Sequence, residues 1–138
     1  MKRLTLCFLL FSWMVSPAIA QVTDEDIYNV VEEMPSYPGG EVALYQFLSE
    51  SIKYPQEAQD KGIEGKVYAK FVIDTLGLVK NIHISRGIGG GCDEETIRVI
   101  SEMPAWIPGY QRGKAVNVYY TLPVYFKLVG KSKKKNKK

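Results

Sequence analysis

This chain lacks most of what catalysis or a covalent staple would require. Histidine occurs once, at His83, and cysteine twice, at Cys7 and Cys92. One histidine and two separated cysteines make no ligand-spaced cluster for a metal. The best nucleophile and base on offer, Cys92 with His83, have no third group nearby in sequence to orient them. Gly87 to Gly91 is glycine-rich and precedes a helical stretch, but no Gly-Lys-Ser/Thr follows, and Asp93, Glu94 and Glu95 stand where a phosphate would sit. The sequence therefore reads as non-enzymatic, with no catalytic residue, no metal and no cofactor. After residue 20 no apolar run is long enough to cross a bilayer, which takes ~20 residues. The central part of the chain shows no basic face interleaved with aromatics, so nucleic acid is not an expected partner.

What is present begins with a leader. Lys2 and Arg3 precede a nearly continuous apolar run from Leu4 to Val15, broken by Ser16-Pro17 and followed by Ala18-Ile19-Ala20. This is the layout of a cleavable signal peptide, with cleavage expected after Ala20. The rival reading keeps the segment as a membrane anchor. Cys7 is not expected to carry lipid, because Leu6 stands where a small residue is required. Cleavage leaves Cys92 as the lone cysteine, so no intramolecular disulfide forms and packing alone must hold the fold.

Charge is unevenly placed. Six lysines fall between Lys131 and Lys138, whereas Gln21 to Gly130 carries ten Lys and Arg against fifteen Asp and Glu. The body is acidic and the tail basic. Such a tail is read as solvated, or as a contact for anionic envelope surface. The expected organisation is a signal peptide over 1–20, an acidic lead-in over 21–33, one domain over 34–129 and the Lys-rich tail over 130–138.

Within the body, Ile27 to Val31 suggests a short strand, and Met34 to Gly40 with two prolines and two glycines is an irregular connection. Leu44, Phe47, Leu48 and Ile52 then form a helical stripe, with Gly40 as N-cap. Tyr54-Pro55 stops that helix, and Pro55 opens a second short one that Gly62 ends. Val67, Ala69, Phe71 and Ile73 alternate with polar residues, and Asp74 to Gly77 supplies a turn into a second strand with Ile82 and Ile84 on one face. A third helix starts at the acidic triplet and presents Ile97, Ile100 and Met103 as its apolar face. The clearest alternation comes last: Val116, Val118, Tyr120, Leu122, Val124, Phe126 and Leu128 on one face, Asn117, Tyr119, Thr121, Tyr125 and Lys127 on the other. Pro123 inside this run points to an edge strand.

The predicted fold is α+β: two to three helices on one face of a small three-stranded antiparallel sheet, in the order second, first, third, with the last strand at an edge. An unpaired edge is a template for a partner strand. Trp106 and Tyr120 are expected to be packing residues.

The ordered set Tyr54-Pro55-x-x-Ala58, Ile63-x-Gly65-x-Val67, Phe71, Gly77-x-Val79, Met103-Pro104-x-Trp106-x-Pro108-Gly109 and the final strand through Phe126 resembles the C-terminal domain of TonB. Tyr37-Pro38-Gly39-Gly40 is similar to the opening of a common subgroup of these domains. The resemblance implies a periplasmic domain that grips the TonB box of an outer-membrane receptor by strand addition. The gripping residues would be Lys114, Val116, Asn117, Val118, Tyr119, Thr121 and Tyr125, with Ser51, Ile52, Lys53 and Tyr54 beside them. A full energy transducer also has a membrane helix and a long Pro-rich spacer. From Gln21 to Pro35 the chain reaches only ~50 Å. The expected protein is thus a gripping domain that binds a receptor or another envelope protein, accessory to TonB-dependent transport. Two alternatives stand: a short anchored transducer, and a structural envelope protein held by its Lys tail. An open edge also permits a strand-paired homodimer.

Overall fold

A computed structural model of the chain describes residues 27–130. The expected leader, Cys7 and the lysines from Lys131 onward lie outside the described residues. Five strands and three helices follow in the order β1 (Ile27–Tyr28), α1 (Glu41–Ser51), α2 (Gln56–Lys61), β2 (Gly65–Ile73), β3 (Val79–Arg86), α3 (Cys92–Ser101), β4 (Gly109–Gln111) and β5 (Lys114–Phe126).

Alternation builds the centre of the sheet. Every second residue of β2 (Val67, Ala69, Phe71, Ile73) is fully buried, and Leu122, Val124 and Phe126 of β5 face the same core. The two strands pair antiparallel without interruption from Gly65↔Phe126 to Ile73↔Val118. On its other side β2 forms the expected hairpin with β3. There the simple alternation fails, because the register shifts twice and Asn81 takes positive φ of 53°. All three helices contribute to one cluster on the inner face: Leu44 and Leu48 from α1, Ala58 from α2, and Cys92, Val99 and Ile100 from α3. Trp106 is buried between Tyr37, Phe71 and Tyr120, with ring centroids 5.6, 5.9 and 4.9 Å away. Packing is thus its role, as expected.

The helix boundaries follow local chemistry. α1 begins after Gly40, and its acidic Glu41 sits at the positive helix end. Gly62 closes α2 in the left-handed region, its N–H returning to Ala58 and Gln59. Asp74 organises the β2–β3 turn by accepting from the N–H groups of Leu76 (2.9 Å) and Leu78 (2.8 Å) and pairing with Lys80 (2.8 Å). Its burial pushes the carboxyl upward, but the Lys80 ammonium and the two N–H groups outweigh that and hold it below the ordinary range.

The α+β layout and the central position of β2 agree with the sequence reading. Two features differ. The last strand is not an edge along its whole length: β4 pairs with Lys114–Val116, and β1 pairs parallel with Asn117–Val118. Strands of two and three residues are made by these long-range pairings and carry no periodicity of their own. α3 also turns a different face inward. Cys92, Thr96, Val99 and Ile100 are buried while Ile97 is 36% exposed. Thr96 can be buried because its hydroxyl donates to the Cys92 carbonyl at 2.8 Å.

Candidate functional site

The open part of β5 is shorter than the sequence suggests. Val118 pairs with Ile73 on one side and Tyr28 on the other, so β1 and β2 occupy opposite edges. From Tyr119 to Phe126 only the β2 side has a partner strand among the described residues. The other edge of that stretch is free. Of the expected gripping residues, Tyr119, Thr121 and Tyr125 lie on it. Lys114 and Val116 belong to the β4 hairpin, and Asn117 and Val118 are covered by β1, Val118 being wholly buried. That half of the expected edge is therefore already occupied by the chain itself.

Pro123 fits this geometry. In an antiparallel ladder the N–H and C=O of one residue point to the same side, and successive residues alternate. Proline has no N–H, so within an unbroken ladder it must face away from its neighbour. Its partner Tyr68 agrees, since the Tyr68 carbonyl turns toward β3 and accepts from the Ser85 hydroxyl at 3.1 Å. Thr121 and Tyr125, in phase with Pro123, therefore present their backbone groups to the free edge.

Beside this edge lies a groove of about 310 Å³ between the C-terminal half of α1 and the end of β5, lined by Tyr45, Leu48, Ile52, Tyr54 and Val124 among others. Its floor is apolar and its mouth open. Tyr54 is fixed there by an edge-on contact with Phe126 (5.5 Å, 90°) and by a hydrogen bond from its hydroxyl to the Ile63 carbonyl. Burial, then the neighbouring Cys92 and Glu64, raise the phenol, which keeps it the donor.

Ile52 and Tyr54, in the segment around Tyr54-Pro55, line this groove, and α3 holds that segment. Arg98 donates to the Ser51 carbonyl (2.9 Å) and to Glu95 (2.6 Å), while Glu95 accepts from the Lys53 N–H (2.8 Å). Ser51 and Lys53 thus spend backbone groups on the clamp, and Ile52 and Tyr54 turn to the groove. The clamp is pH-sensitive. The Arg98 hydrogen bond, working against burial, lowers the Glu95 carboxyl, with help from the Lys53 N–H. A depressed folded-state value means stability that is present above the ordinary glutamate range and lost as pH falls through the folded value. We therefore expect the Lys53 amide resonance to stay fixed from neutral pH down past the ordinary glutamate range and to move only at lower pH. In a Glu95→Gln chain this low-pH step should vanish, with stability reduced by about 1–2 kcal/mol.

Sequence reasoning missed the outer face of the sheet. No aspartate or glutamate occurs in any of the five strands. Lys66 and Lys70 instead lie over tyrosines of β5, Lys66 above Tyr125 at 5.0 Å and Lys70 above Tyr119 at 4.3 Å. A basic surface interleaved with aromatics does exist here, assembled from strands far apart in sequence. The strand composition, read apart from the helices, would have indicated it.

Cys92 is fully buried at the start of α3, and burial, then Asp93 and Glu94, push its thiol upward. Both effects oppose thiolate formation. His83 is exposed on β3. Among the described residues no group of His, Cys, Asp and Glu is placed to hold a metal, and no helix is long and apolar enough to cross a membrane.

Compared with known proteins, residues 50–128 match the family of the Gram-negative bacterial TonB protein C-terminal. No curated protein matches the chain. Among solved structures it is similar to the Helicobacter pylori TonB C-terminal domain, residues 179–285, at 21% identity and a TM-score of 0.48, covering 64% of this chain and 80% of that one. A shorter form of that domain, residues 194–285, is similar at 21% identity and a TM-score of 0.43, covering 62% of this chain and 90% of that one.

Proposed function

This chain belongs to the Gram-negative bacterial TonB C-terminal family, and from that premise we propose that it is a periplasmic, non-enzymatic binding domain. It captures an extended segment of an outer-membrane receptor, or of another envelope protein, by adding it as a strand to β5. We place it as an accessory of TonB-dependent transport, exported by its leader and released after Ala20.

The observation that carries this reading is the free edge from Tyr119 to Phe126 with an apolar groove at its side. Main-chain hydrogen bonds to the free edge supply affinity with little demand on sequence, and alternate side chains entering the groove supply selectivity. The clamp from α3 adds to this by fixing Ile52 and Tyr54 before a partner arrives, which lowers the ordering cost of binding.

The test is a titration of the purified chain, Lys-rich tail included, with peptides covering receptor TonB boxes, followed by backbone amide shifts. Shifts should concentrate at Tyr119–Phe126 and at Ile52–Tyr54. Binding that moves other amides and leaves those two segments still would refute strand addition at this edge.

A further inference from the structure

Resting on the strand-capture reading above, we propose that the segment this edge selects alternates apolar side chains with acidic ones, the acidic residues facing outward over Lys66 and Lys70. A strand laid against Tyr119–Phe126 presents its side chains alternately to two surfaces. One is the groove, whose walls Leu48, Ile52 and Val124 are apolar and whose one charged lining residue is Lys127. The other is the outer sheet face, where the strands carry no carboxylate at all. Neither Lys66 nor Lys70 pairs with a carboxylate among the described residues.

Position matters as much as sign. Lys66 and Lys70 start on β2, which lies on the far side of β5 from the free edge. Their contacts with Tyr125 and Tyr119 draw both ammonium groups across the sheet and over β5. From there a captured strand is only one further strand spacing away, ~4.8 Å. Two outward carboxylates can therefore each meet an ammonium, while the tyrosine rings beneath hold the cations in place. Lys66 and Lys70 are four residues apart and their tyrosines six, so the matching acidic residues are about four to six apart on one face of the bound strand. Apolar residues fill the positions between them that face the groove. A basic outward residue would meet like charge and be rejected.

The experiment compares three peptides of one apolar framework whose outward positions are Asp/Glu, Asn/Gln or Lys. Binding is measured to the purified chain and to a Lys66→Glu/Lys70→Glu double variant. Both lysines are outside the core, so the variant should fold, losing only the two cation–ring contacts. The acidic peptide should bind the parent about tenfold tighter than the amide peptide, and the Lys peptide weakest. In the double variant that order should collapse or invert. The tail is common to both proteins, so its attraction for acidic peptides cancels in the comparison. Equal binding of acidic and amide peptides, with shifts at Tyr119–Phe126 in both, would overturn the charge rule and leave strand capture standing. An undiminished acidic preference in the double variant would overturn it too, by assigning the preference to cations elsewhere. If no peptide moves the Tyr119–Phe126 amides, strand capture itself falls, and the charge rule with it.

Discussion

A Gly77→Ala chain is expected to lose about 3 kcal/mol of stability or more, lowering the melting temperature by roughly 15 °C. Gly77 is buried in the β2–β3 turn with φ of +83°, and its carbonyl accepts the Trp106 N–H at 2.8 Å. A Cβ there would fall inside the van der Waals shell of the Trp106 carbonyl oxygen. Relief would require moving either the turn, pinned by Asp74, or Trp106, pinned by Tyr37, Phe71 and Tyr120. Neither can yield without opening the core. The effect reaches the site as well, because Trp106 leads through Pro108 into β4 and the hairpin that starts β5. Gly113→Ala is the control. It has a similar φ of +73° but nothing within 4 Å of the added carbon, so it should cost only the backbone term of about 1 kcal/mol. Urea melts of the two variants separate contact from strain. Equal losses would mean that the Gly77–Trp106 approach contributes nothing.

The same contact shows where sequence reasoning succeeds and where it stops. The strands β2 and β5 were legible because one face of each is the more buried, so solvent and core write a period of two into them, broken in β2 at the buried Val72. β1 and β4 were not, because strands of two and three residues are defined by their partners. The inner face of α3 was misjudged at Ile97, which is 36% exposed, and at Thr96, whose burial depends on its hydroxyl bonding its own helix. At the site, the resemblance pointed to Tyr119, Thr121 and Tyr125, of which Tyr125 lines the groove with Ile52 and Tyr54 and the other two lie farther along the free edge. It could not show that β1 and β4 already cover Lys114–Val118. Nor could it show the groove, which exists only because α1 crosses beside β5. The charge separation was hidden for a related reason. Net charge along the chain averages acidic helices with strands that hold no acid, and folding sorts the two onto different surfaces.

Strand capture as proposed stands or falls on the stretch Tyr119 to Phe126. Thr121→Pro tests it with the largest expected effect on binding. Thr121 shares the phase of Pro123, so its N–H points to the free edge and not to β2. Replacing it removes no ladder bond of the folded domain, and an edge position accepts proline. Stability should fall by less than about 1 kcal/mol. A captured strand, however, loses a donor opposite its carbonyl and meets the pyrrolidine ring. An unmet carbonyl alone costs about 1–3 kcal/mol, so affinity should drop about 30-fold. Leu122→Pro is the paired control. Its side chain is buried and its N–H faces β2, so it should unfold the domain outright, about 3 kcal/mol for the ladder bond and ring clash before any loss of packing. The decisive measurement is peptide affinity in a Thr121→Pro chain whose melting temperature matches the parent. Unchanged affinity there would show that partners do not pair along this edge. Loss of affinity without loss of fold would locate the binding in the backbone of β5, where alternate residues have their hydrogen-bonding groups directed outward and unspent.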